Sequence, residues 1–299
     1  MIFCRLDLYF FPILDIYTPI DRTILGYKEL FSPIRRFSMK KAAVIHDLSG
    51  FGKCSLTAAI PVLSALGVQC CPVATAVLTG QTGYPCYHCT DLTAMLPDYI
   101  DAWGKNNAHF DAIYSGFLTG AEQISQVLDF IRQFREEHTL LLVDPVMGDD
   151  GNAYPFFTPG LLNGMKELTL KADVITPNLT EACLLADIPE NALLHCRTNT
   201  DLLKLAEDVA LRLQKKASHP QDVVITGVKC RDEKHPVIYN IAATANGIYR
   251  HESPFFDRSF SGTGDCLPLY CVAAAQRAYA RKMRFCLPGN FYPTVSGIP

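Results

Sequence analysis

The stretch from Ala42 to Thr75, "AAVIHDLSGFGKCSLTAAIPVLSALGVQCCPVAT", decides the fold. Residues 42–46 form a continuous apolar run bounded by a glycine-containing loop. A strand buried on both faces reads this way. Residues 55–67 then read as a helix, with Gly67 as its stop and Pro61 placed to kink it. Residues 68–75 read as a second strand. Strand, helix and strand in this order make the unit from which parallel sheets are built.

The unit recurs along the chain. "DAIYSG" (111–116) reads as a strand closing on a glycine turn, and Thr119 with Glu122 fits a capping box for the next helix. In that helix Ile124, Val127, Leu128, Ile131 and Phe134 recur at helical spacing. "LLLVD" (140–144), "ADVIT" (172–176) and "DVVIT" (222–226) read as further strands. Leu202, Leu205, Ala206, Val209 and Leu213 mark the helix before the last of these. Residues 237–250 read as a hairpin turning at Asn246-Gly247. The expected fold class is therefore α/β: a mostly parallel central sheet between helical layers, with a late antiparallel hairpin.

Composition narrows the function classes. The 299 residues are 49% hydrophobic and 19% charged, which suits one large domain or two small ones. A net charge of −3 gives no reason to expect a nucleic-acid or anionic-membrane partner. No apolar run reaches the ~18 residues of a membrane span. The twelve cysteines lack disulfide-like spacing and read as reduced, mostly buried thiols of a cytoplasmic protein. Cys86-Tyr-His-Cys89 resembles half a zinc site, but no second pair at finger-like spacing follows. Residues 1–38 are apolar but broken by Asp7, Pro12 and Asp15, and regular patterning begins only after Met39. We expect Met39 to be the natural start and 1–38 a non-native or disordered extension; the alternative is an extra edge strand or arm.

In open α/β sheets, ligands bind beyond the carboxyl ends of the strands. The residues expected there include His46, Thr82, Phe117, Asp144, Asn178, Glu181, Thr226, Gly227 and the turn Gly262-Thr263-Gly264-Asp265. Glycines in that turn let successive N–H groups converge on an anion, and a helix starting there adds its positive end. A neighbouring carboxylate can take a proton from an attacking hydroxyl. The alternative is a plain glycine loop with Asp265 as a helix cap. Glu181 has two readings also, since Asn178-Leu-Thr-Glu181 is a capping-box pattern. Asp144 closes a buried strand, where Asp is rarely placed for stability. Two acids at one edge suit Mg2+. His46 is a core histidine or a substrate contact; Phe117 and Tyr84 are packing residues or a stacking surface. Gly50-Phe-Gly-Lys-Cys-Ser55 fails as a phosphate loop of the Walker type, because Asp47 stands where the first glycine belongs.

"DPVMGDDG" (144–151), "ITPNLTEA" (175–182), "VVITG" (223–227) and "SGTGD" (261–265), in this order, resemble the ribokinase-like superfamily. With "TAVLTGQTGY" (75–84) and "SGFLTGAEQI" (115–124), the chain is similar to its pyridoxal/pyridoxamine kinase branch over about residues 40–265. The resemblance implies a three-layer α/β/α ribokinase-like fold and ATP-dependent phosphorylation of the 5′-hydroxymethyl group of a B6 vitamer. It implies Asp265 as the base and Gly262, Thr263 and Gly264 as the anion hole. Asp144 and Glu181 would organise Mg2+, and Asn178, Thr226 and Gly227 would contact ATP. His46 falls where relatives often carry serine, Thr82 at a substrate-side threonine, and Phe117 where tyrosine is common. A homodimer is implied as well, and hydroxymethylpyrimidine kinase is the alternative activity. After Asp265 the resemblance stops. Residues 266–285 keep a helical pattern, with Pro268 tolerable only in a first turn, and 286–299 read as coil. The expectation is a divergent tail produced by a frameshift, which resequencing tests. It would leave a poorly folding kinase or a ligand-binding relic.

Overall fold

The computed structural model describes residues 39–154, 156–189, 192–230, 236–255 and 267–273. The readings for the N-terminal extension, for Gly262 through Asp265 and for the end of the tail lie outside these residues. In chain order the elements are β1 (Lys40–Ser49), α1 (Ser55–Ala65), β2 (Val68–Leu78), β3 (Cys89–Asp91), α2 (Leu96–Lys105), β4 (Ala112–Ser115) and α3 (Ala121–Phe134). There follow β5 (Leu140–Val143), β6 (Gly148–Asp149), β7 (Asn152–Ala153), α4 (Pro159–Thr169), β8 (Val174–Ile175), α5 (Leu179–Leu185) and α6 (Ala192–His195). The last are α7 (Asn199–Lys216), β9 (Asp222–Cys230), β10 (Val237–Thr244) and β11 (Gly247–Pro254).

Among the described residues one sheet runs in the order β11-β10-β9-β8-β5-β4-β1-β2-β3. The six strands from β9 to β2 are parallel. Strands β3, β10 and β11 are antiparallel to their neighbours. Alternation along β1 shows why the strand reads as a solid apolar run. Ala43 and Ile45 pack with α3, α4, α5 and α7, whereas Ala42 and Val44 pack with α1 and the helical residues 267–273. Both faces are thus buried, as parallel sheets require.

The hairpin forms as expected, with Thr244 and Gly247 paired at its turn. Gly67 follows α1 with φ +79°, a left-handed conformation that favours glycine. β2 runs three residues beyond its expected end at Thr75, because Leu78 pairs with both Ser49 and Cys89. The expected Thr119–Glu122 capping box does not form. The helix begins at Ala121 after Gly120, and the Thr119 N–H instead donates to Oε1 of Gln123 at 2.9 Å. The described cysteines are free thiols, but only Cys183, Cys230 and Cys271 are buried; Cys86 and Cys89 are exposed.

Candidate active site

The carboxyl ends of the parallel strands gather the site residues in two groups, set by strand order. On the β5–β8–β9 half, Asp144 follows β5 and Asn178 follows β8. Asn178 is the N-cap of α5: its Oδ1 accepts from the Glu181 N–H at 3.0 Å, and Glu181 Oε2 accepts from the Asn178 N–H at 2.9 Å. The capping box read from the sequence is therefore real, but Glu181 does more than cap. It is buried, and its Oε1 accepts from the Met147 N–H at 3.0 Å, in the loop after Asp144. Burial, then the charge of Asp144, push the Glu181 carboxyl well above the usual range, against the opposing pull of backbone N–H groups. Tyr154 shares this field. Burial and then the charges of Glu181, Asp149, Asp144 and Asp150 all raise its phenol, so it stays protonated.

Thr226 and Gly227 sit on β9 beside Asn178. The Thr226 N–H donates to the Pro177 carbonyl at 2.9 Å, and Thr226 bridges Asn178 in parallel register. Between Ile225 and Val228 the register with β10 shifts, so Thr226 and Gly227 together face the single residue Asn240. This is a β-bulge. Gly227 has φ +71°, donates its N–H to Asn240 Oδ1 at 3.1 Å, and a Cβ there would meet no heavy atom of the described residues within 4 Å. The Asn178 Nδ2 donates to the Gly148 carbonyl at 2.7 Å, which ties the start of α5 to the β6 turn.

On the β4–β1–β2 half, His46 and Asp47 are both buried, at 2% and 5% exposure. His46 Nδ1 lies 2.9 Å from Asp47 Oδ1, 3.0 Å from the Asp47 N–H and 3.4 Å from the Phe117 N–H. A neutral ring with bare Nδ1 accepts from the backbone; a protonated ring donates to the carboxylate. Burial raises the Asp47 carboxyl, but its bonds to His46, Ser55 and Ser49 outweigh this and hold it below the usual value. Ser55 itself has φ +54°, a strained conformation for a residue with a side chain. Phe117 is buried with its ring edge-on to Phe156 at 5.0 Å. That ring meets Phe156, and the Phe117 N–H faces His46 Nδ1. Thr82 is exposed in the loop between β2 and β3. That loop is zipped to residues 50–51 by the bonds Phe51 N–H to Thr79 carbonyl at 3.1 Å and Gln81 N–H to Phe51 carbonyl at 2.9 Å. Phe51 and Tyr84 meet above them, ring centroids 4.9 Å apart. Asp47 follows His46 at the expected ligand edge but was given no role by sequence reading, and Gln123 was not singled out. The signal for Asp47 is an acid inside a buried strand; for Gln123 it is an amide in the first turn of a helix.

The acidic half holds two side chains, Asp144 and Glu181, that could help hold a divalent cation. Two carboxylates whose like charges repel, in a field that also raises a tyrosine, are the kind of oxygen donors that Mg2+ takes, with water and substrate phosphates completing the shell. Among the described residues no cluster of three His, Cys, Asp or Glu side chains is placed to bind a metal. None of their helices is long and apolar enough to cross a membrane. Two open depressions, of about 600 and 480 Å3, lie elsewhere, around Arg135 and His219 and between α2 and α3.

Sheet order, flanking layers and edge define a ribokinase-like α/β/α protein. The chain belongs to the phosphomethylpyrimidine kinase family, whose model matches residues 52–283. It is 30% identical over 230 residues to the pyridoxine/pyridoxal/pyridoxamine kinase of Bordetella avium, covering 74% of this chain and 72% of that one. It is 39% identical to a Bacteroides thetaiotaomicron protein, provisionally named a phosphomethylpyrimidine kinase and solved with pyridoxal; the TM-score is 0.72, over 80% of this chain and 81% of that one. The pyridoxal kinase of Lactobacillus plantarum is 29% identical, with a TM-score of 0.69 over 81% and 82% of the two chains. The family match runs on to residue 283, so the expected end of the resemblance at Asp265 is corrected. Residues 267–273 are helical, and Leu269, Val272 and Ala273 are fully buried.

Proposed function

We propose that the chain is an ATP-dependent kinase for the 5′-hydroxymethyl group of pyridoxal, pyridoxamine or pyridoxine, with residues 39–299 as its kinase domain. One placement carries the reading. A like-charged pair of carboxylates, Asp144 and Glu181, shares a strand edge with the enclosed His46–Phe117 wall. Likeness to a protein solved with pyridoxal supports the choice of alcohol.

In this reading the vitamer lies on the β4–β1–β2 half, against His46, Phe117 and Thr82. ATP lies on the β5–β8–β9 half, its phosphates near Asn178, Thr226 and Gly227. Asp144 and Glu181 would hold Mg2+, partly through water, and the ion when bound neutralises phosphate charge. Asp265 takes the hydroxymethyl proton as that oxygen bonds to the γ-phosphorus. The bond from γ-phosphorus to the bridging oxygen breaks, and ADP leaves. The N–H groups of Gly262, Thr263 and Gly264 stabilise charge on the phosphoryl group in transit. The family match spans these four residues. The reading extends to a cytoplasmic homodimer that pairs through the β10–β11 hairpin, where Ile248 and Tyr249 are exposed.

Hydroxymethylpyrimidine is the second reading, favoured by the description of the family model. Initial rates of ATP-dependent phosphorylation of the two alcohols by the purified chain separate them. Faster turnover of pyridoxal is expected; faster turnover of the pyrimidine reverses the assignment. Asp265→Asn is expected to lower kcat by at least ~10²-fold with ATP affinity nearly unchanged, since a base acts on the chemical step alone. Near-normal turnover in that variant removes Asp265 from the mechanism.

A further inference from the structure

Gln123 is a fully buried glutamine, and it uses both ends of its amide. Its Oε1 accepts from the Thr119 N–H at 2.9 Å. Its Nε2 donates to the Thr75 carbonyl at 2.8 Å and to the Thr93 hydroxyl at 3.2 Å. These partners lie on three separate segments: the loop between β4 and α3, strand β2, and the turn after β3. Each is tied again. The Thr75 hydroxyl donates to the Phe117 carbonyl at 2.9 Å. The Thr75 carbonyl also accepts from the Leu92 N–H at 3.0 Å. Asp91 accepts from the Thr93 N–H at 2.7 Å and from the Thr119 hydroxyl.

A buried amide is costly to desolvate and is retained where its bonds fix something. Here Gln123 holds the turn Phe117–Thr119 at Thr119, and Thr75, whose carbonyl it also holds, ties the other end at Phe117. Phe117 is the residue whose N–H faces His46, and β3 is the strand onto which the Thr82 loop runs. The two walls of the β4–β1–β2 half are therefore joined through one side chain. A helix cap alone needs only the Thr119 bond; the two Nε2 bonds leave the helix and reach the far wall.

We propose that Gln123 is a positioning residue for the vitamer, setting the spacing between the His46–Phe117 wall and the Thr79–His88 loop. This rests on the assignment of that half to the alcohol substrate. Among the described residues its hydrogen bonds go to Thr119, Thr75 and Thr93 and to no nucleotide-side residue, so its loss acts on one substrate of the two. Gln123→Met keeps length and apolar volume but removes all three bonds. Its KM for pyridoxal is expected to rise ~10-fold, with KM for ATP within about 2-fold, as a misplaced wall predicts. Thr75→Val, which cuts only the bond to the Phe117 carbonyl, is expected to give the same split at smaller amplitude and serves should Gln123→Met fold poorly.

The experiment measures both KM values and kcat for the full chain and the two variants below their melting points, with hydrogen exchange of segments 88–93 and 115–120. Selective loss of pyridoxal affinity with faster exchange in both segments supports the proposal. Unchanged KM for pyridoxal, an equal rise in both KM values, or unchanged exchange overturns it. If the parent chain phosphorylates no vitamer, the proposed function falls and positioning of a vitamer falls with it. Faster exchange then still establishes the clamp itself, so the two failures are told apart.

Discussion

Gly116 is a glycine because of a histidine seventy residues earlier. A Cβ at this position would lie 2.1 and 2.2 Å from the His46 ring atoms Cδ2 and Nε2. That overlap is deep, and His46 is buried against Tyr114, so the ring has no easy exit. Gly116→Ala is expected to cost roughly 1–3 kcal/mol, as overpacking does, and to raise KM for the vitamer by displacing His46. Thermal unfolding and steady-state kinetics check both halves; an unshifted melting point shows that the ring moves freely. A second residue reports on charge alone. Asp187 takes a left-handed conformation, φ +57°, and pairs with Lys216 at 2.9 Å and with Lys166. The bonds from Lys166 and Lys216 lower its carboxyl from 3.8 to about 2. A depressed carboxyl stabilises the fold above its unfolded value, and that contribution is lost as pH falls toward about 2. Asp187 is half exposed, so solvent screening keeps the effect of Asp187→Asn below ~1 kcal/mol. The difference in stability from the parent should be full at pH 7 and shrink below pH 4, as paired denaturation curves will show; a pH-independent difference means that the charge is not its source.

At the scale of elements, α5 ties its own start to the acidic half of the site. Asn178 and Glu181 cap each other, and Glu181 also holds the Met147 N–H. Asn178→Ala is expected to cost about 1 kcal/mol from the lost cap. It should also weaken Mg2+-ATP, because Glu181 loses the partner that fixes it. Calorimetry and KM for ATP are the checks, and a stability loss with unchanged KM confines Asn178 to the helix. This box was legible in the sequence because it lies within four consecutive residues. The Thr119–Glu122 box was misread for a physical reason: Gln123 can reach the Thr119 N–H while its amide also serves β2, and no local rule sees β2. The strands were legible because burial on both faces writes a continuous apolar run. The His46–Gly116 contact and the Gln123 bonds were not, since each joins segments that only the folded sheet brings together.

For the molecule as a whole, the sheet needs cover on both faces. The face bearing Val44, Tyr114, Leu142 and Val224 is covered by α1 and by residues 267–273. Leu269 is fully buried there. Leu269→Ala is expected to cost about 2–5 kcal/mol, the range for emptying a packed core position. Chemical denaturation measures it, and a loss under ~1 kcal/mol shows that the segment is dispensable. The same packing bears on the expected divergence after Asp265: a segment that fills the core is part of the fold, and the family match passes through it. The most direct test of the account is the initial rate of pyridoxal 5′-phosphate formation by the full chain from pyridoxal and ATP, with Mg2+ present and with the metal chelated. The account predicts steady turnover that stops on chelation. Absence of product with Mg2+ and both substrates saturating would contradict it.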